Sequence, residues 1–122
     1  MYPTKQIEPL DSEIGEAWSR DLPATSSREI HGVEASRWRA DTPWRWQVTV
    51  SAMEFVRAAP LEPVLRRLII EALRAVPGVL QAEEEDREVW VIRGEPRGGA
   101  LVDAVAAVVD ASAAEIEKQV RG

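Results

Sequence analysis

Cysteine is absent from the 122 residues and histidine occurs once, at His31. Without thiols there is no disulfide, thiolate nucleophile, iron–sulfur cluster or thiolate zinc site. Any metal site would have to be assembled from carboxylates, and any histidine-centred triad could be built only around His31. No nucleophile elbow is present. The balance is therefore against catalysis, with acid–base chemistry in a pocket left open, and no cofactor or metal is expected. Long apolar runs are also missing: the stretch from Ala100 to Ala114 is interrupted by Asp103 and Asp110, too short and too charged to span a bilayer. Residues Met1 to Gln6 lack the basic and apolar blocks of a secretory signal, so the expected compartment is the cytoplasm. Basic charge is scarce as well. A formal net charge of −6 argues against general binding to phosphate backbones, which needs an excess of Lys and Arg.

What is present suits one small domain. An apolar fraction of 45% over this length supports one core. Prolines at 3, 9 and 23 and the polar run 25–29 make residues 1–29 read as an arm, with 30–122 as the folded domain. Within the arm, Asp11 could cap a short helix through Asp21 that gathers Ile14, Ala17, Trp18 and Leu22 on one side, with Gly15 weakening it.

The domain alternates periods. Ile30–Arg39 reads as extended, and Asp41-Thr42-Pro43 supplies a turn. In Trp44–Ser51 every second residue is apolar, the pattern of a strand with one face in the core and the other wet. After Pro63, Leu65, Leu68, Ile69, Ala72, Leu73 and Val76 recur at helical spacing, ended by Pro77-Gly78. Val79–Glu84 and Glu88–Arg93 read as a hairpin turning at Glu85-Asp86-Arg87. The four consecutive apolar residues from Val89 put its second strand in the middle of the sheet. A final helix from Ala100 to Gln119 carries Asp103, Asp110 and Glu117 as a wet stripe.

The order strand, helix, hairpin, helix, with Ala72, Leu73, Pro77, Gly78 and Val79, then Val89, Val91, Leu101 and Ala104, resembles heavy-metal-associated and ACT-type ferredoxin-like domains. The resemblance covers Val64 to Asp110 and implies an α+β ferredoxin-like sandwich: an antiparallel sheet of about four strands with two helices on one face. A hairpin of 32–38 with 44–51 would put the N-terminal strand in the place of the last one. The metal carriers of that family hold two cysteines in the loop matching Ser51–Arg57. Here there are none, and Met53 alone is no substitute, so the copper-carrier function does not transfer.

Candidate sites are weighed against plainer readings. Arg37-Trp38-Arg39 and Trp44-Arg45-Trp46 could stack on nucleic-acid bases, yet Trp44 and Trp46 share the parity of Val48 and Val50 and fit a core better. Glu83–Asp86 with Glu88 could hold a hard cation but lack EF-hand spacing and read as a solvated hairpin tip. Gly98-Gly99 beside Arg97 could meet an anion at a helix start, although most such starts only complete a turn. The sheet face away from the helices would carry either Trp90 and Ile92 or Val89 and Val91. The leading expectation is thus a non-catalytic interaction or regulatory module that forms a homodimer through that face. The alternative is a small-ligand-binding or enzymatic domain with a pocket of Trp38, Trp46 and Trp90. Trp38, Trp46, Trp90, Ile92 and Arg93 are the interaction or ligand candidates. An unidentified protein partner fits the first reading; nucleic acid and membrane fit neither.

Overall fold

The computed structural model describes residues 3–22, 32–40, 44–51, 61–86 and 88–121, with side chains 113, 116, 117 and 119–121 of the last helix left aside. The expectations at His31, Met53, Arg87, the run 25–29 and the turn 41–43 lie outside these residues, as does the Glu117 side chain. The described elements are β1 (Lys5–Ile7), β2 (Ile14–Asp21), β3 (Gly32–Trp38), β4 (Arg45–Ser51), α1 (Leu61–Arg74), β5 (Val79–Asp86), β6 (Val89–Gly94) and α2 (Gly98–Arg121). All strands join one antiparallel sheet in the order β1-β2-β3-β4-β6-β5.

This corrects the expected ferredoxin-like sandwich of about four strands. Among the described residues the class is α+β with two helices, but the sheet has six strands. Gly32–Trp38 does pair antiparallel with β4, yet it is an interior strand, because β2 and β1 extend the sheet beyond it. The helix expected over 11–21 is also overturned, since Ile14–Asp21 is β2. The cause is local. The pairing of β2 with β3 shifts register between Ile14 and Glu16, a bulge around Gly15 that breaks the period-two pattern. With alternation hidden, the accidental helical spacing of Ile14, Ala17 and Trp18 remained as the visible signal.

Pairing registers define two faces. Glu16, Arg37, Trp46, Ile92 and Ala82 form one row across the sheet, and Trp18, Ala35, Val48, Trp90 and Glu84 form the next. Ala35, Val48, Trp90, Trp46, Ile92 and Ala82 are at most 2% exposed, so this is the face under the helices. Leu65, Ile69 and Leu73 of α1 meet it, as do Leu101, Val102, Val105, Ala106 and Val109 of α2. The first set recurs every four residues and the second at intervals of three and four, the stripe an amphipathic helix buries. α1 packs on β5 and α2, and α2 lies across β2 and β3. The central position expected for the apolar run Val89–Ile92 is the one β6 occupies, between β4 and β5.

Polar bonds hold the helices in register with the sheet. Arg66 of α1 donates to both carboxylate oxygens of Glu84 on β5, at 2.9 and 2.7 Å, and Glu62 lies 3.7 Å away. The hydrogen bond to Glu84 raises the Arg66 pKa above its ordinary value. Because that value is already far above neutrality, Arg66 keeps its charge through the working pH range. Arg74 donates to the Ala82 carbonyl.

On the opposite flank, Arg20 of β2 is 8% exposed and reaches Asp110 of α2 at 2.6 Å, while Thr4 donates to Asp103. The expected wet stripe of α2 is exposed at Asp103 and half-buried at Asp110, where it meets β2. Arg20 Nε and Asp110 Oδ1 have no partner among the described residues. Removing Asp110 strands a buried guanidinium. Fully buried pairs lose about 3–5 kcal/mol on such a change; with the Asp110 side chain a third exposed, Asp110→Ala is expected to cost about 1–3 kcal/mol in urea unfolding. A change under about 0.5 kcal/mol would mean that solvent already screens the pair.

Candidate functional site

A concavity of about 520 Å³ opens at the end of the helix-covered face where β2, the start of β4 and the β6–α2 connection converge. Its size is in the range of small-molecule sites. Trp18, Trp44 and Trp46 supply its aromatic surface, Pro96 and the first turn of α2 close another side, and Glu16, Glu95, Arg97 and Asp103 bring charge to it.

Each indole is placed for a traceable reason. Trp46 lies on the buried parity of β4 and is 1% exposed. Trp44, one residue before β4, shares that parity but lies past the helix cover, and is 37% exposed. Its carbonyl accepts from Gly94 N at 3.1 Å, which ties it to the end of β6. Trp18 donates from Nε1 to Glu16 at 2.5 Å. Glu16 faces Arg37 across the strands, 3.9 Å away, and the Arg37 guanidinium lies 4.2 Å from the centre of the Trp44 ring. Glu16 thus links two of the tryptophans through an N–H bond on one side and a cation stacked on an aromatic face on the other. The bulge at Gly15 makes room for this: a methyl group there would sit 2.9 Å from Arg37 Nη2.

The start of α2 must be glycine for the same cleft to exist. A Cβ on Gly98 would lie 2.4 Å from Trp18 Cδ1 and 2.6 Å from Trp46 Cη2, closer than packed atoms approach. Gly99 lies against Trp18 as well. The pair Gly98-Gly99 therefore lets two indoles rest on the helix backbone, a packing role that the anion-loop reading does not require.

The sequence candidates separate. Trp46, Trp90 and Ile92 are in the core under the helices, the last two fully buried. Trp38 belongs to the opposite face, where Arg45 lies 5.3 Å from its ring centre. Trp38, Trp46 and Trp90 therefore do not line one pocket, which corrects that expectation. Arg93, two residues from Val91 on β6, also lies on the opposite face and is half-buried. The two Trp-Arg segments engage each other instead of an outside ring: Arg37 covers Trp44 on one face of the hairpin and Arg45 covers Trp38 on the other. On the uncovered face Val89 and Val91 are half-buried, and their rows continue into Gln47 and Ser36 and into Thr49 and Glu34. Among the described residues no group of three or more Asp, Glu or His side chains is placed to hold a metal ion. None of their helices is long and apolar enough to cross a membrane.

Sequence reasoning missed Glu16, Trp18, Trp44 and Asp103 as cleft residues. The available signal was Gly98-Gly99, since two glycines opening a long helix indicate a close approach by something bulky. Comparison of the chain with protein-family models, with curated proteins and with solved structures finds no match.

Proposed function

We propose that this is a small-ligand-binding domain and that its ligand occupies the cleft of Trp18, Trp44 and Trp46. The observation that carries the reading is the network around Glu16: a carboxylate on β2 orders Trp18 directly and Trp44 through Arg37. Aromatic walls already held in place lose little side-chain freedom when a ligand arrives, which is where preorganised sites gain affinity. The other interaction reading, a homodimer through the uncovered sheet face, rests on Val89, Val91 and Trp38. Arg45 and Gln47 of β4 separate Trp38 from Val91, so these groups do not form the continuous apolar patch that usually marks an interface.

The five indole N–H groups give a direct test. In ¹H–¹⁵N spectra, assigned with single Trp→Phe variants, a fragment or metabolite mixture is expected to shift the signals of Trp18, Trp44 and Trp46 saturably. Trp38 and Trp90 serve as internal references outside the cleft. Shifts confined to Trp38, together with a dimer by light scattering at micromolar concentration, would replace the cleft reading with the interface.

A further inference from the structure

Three carboxylates, Glu16, Glu95 and Asp103, border the cleft against one guanidinium, Arg97. Arg37 offsets part of the Glu16 charge from 3.9 Å, and the start of α2 adds the equivalent of about half a positive charge. Negative charge remains in excess after both. The aromatic lining has the same preference, because the face of an indole carries negative potential and attracts cations. Trp44 already holds the cationic head of Arg37 at 4.2 Å. Trp18, the partly exposed indole beside it, has its N–H bonded to Glu16 and so has no donor left for an anion.

We propose that the cleft selects an organic cation, an alkylated ammonium group whose methyls lie against Trp18 and Trp44 while Glu95 and Asp103 face its charge. This inference rests on the cleft being the binding site proposed above. A bare metal ion fits less well: the carboxylates are not clustered as a metal site among the described residues, and the walls are apolar rings that cannot replace a hydration shell. A quaternary ammonium spreads its charge over apolar methyl groups, which suits aromatic walls with carboxylates at the margin.

Choline chloride, its neutral isostere 3,3-dimethyl-1-butanol and inorganic phosphate test the assignment on the intact chain, read by the same indole N–H signals and by calorimetry. Choline is expected to shift Trp18 and Trp44 saturably, with the neutral alcohol about tenfold weaker. Phosphate is expected to leave both unmoved. Trp44→Ala should weaken choline about tenfold, and because Trp44 is 37% exposed the fold should survive it. The paired change Glu95→Gln and Asp103→Asn should lower choline affinity several-fold and leave the alcohol unchanged. Equal binding of choline and the alcohol, or preferential binding of phosphate, overturns the cation assignment and leaves the ligand reading standing. Failure of every probe and of the fragment mixture to move these signals overturns both.

Discussion

Gly94→Ala is expected to be the most damaging small substitution in the chain, costing about 3 kcal/mol or more in urea unfolding. Gly94 closes β6 with φ +137°, a backbone conformation L-residues rarely adopt. A Cβ there would sit 2.2 Å from the Gly78 carbonyl oxygen and 2.9 Å from Leu80 N. Both obstacles are backbone, so no side chain can swing aside. Relief would require β5 and β6 to part where Val79 faces Gly94 and where Glu95 N donates to the Gly78 carbonyl at 3.0 Å. Because Gly94 N also bonds the Trp44 carbonyl, the indole N–H signal of Trp44 should move in any fraction that still folds. Gly78→Ala should act in the same direction with a smaller loss, its φ being +93° and its nearest obstacle the Glu95 carbonyl at 2.7 Å. A Gly94→Ala protein as stable as the parent would show that the two strand ends do not meet this closely.

Trp90→Ala should cost about 3–5 kcal/mol, the range for emptying a large core site. Trp90 is fully buried, paired in register with Val48 of β4 and Glu84 of β5. Its Nε1 has no partner among the described residues, and what the indole supplies to them is packing. Trp90→Phe should therefore lose only about 1–2 kcal/mol, since it keeps an aromatic ring and removes an unsatisfied donor. Trp44→Ala, at a partly exposed position outside the core, should cost less, about 1 kcal/mol. Urea midpoints measured on the three proteins together check the order. A Trp90→Ala loss no larger than that of Trp44→Ala would remove Trp90 from the core.

These contrasts mark where one-dimensional reading succeeds. β4 was legible because Trp46, Val48 and Val50 alternate with Gln47 and Thr49, and the structure buries the first set and half-exposes the second. The α1 stripe was legible through Leu65, Ile69 and Leu73, although Leu68 is 41% exposed at the stripe's margin. β2 was not legible. Its bulge at Gly15 breaks alternation, and Arg20, a charged residue on the buried face, breaks the hydrophobic pattern; Asp110 on α2, ninety positions away, makes that placement tolerable.

The cleft was hidden for a related reason. Its tryptophans come from two places in the chain, Trp18 within β2 and Trp44 with Trp46 at the start of β4, and parity alone groups the latter two while the helix cover ends between them. By itself the amino-acid order determined what local sterics and periodicity can determine: the class, four of the six described strands, both described helices, and the missing thiol chemistry. Which strands bound the sheet, which face Trp90 takes, and which charges meet which rings were decided by the tertiary structure. Those outcomes depend on contacts between residues far apart in sequence, whose free energies exist only once the layers have closed on one another.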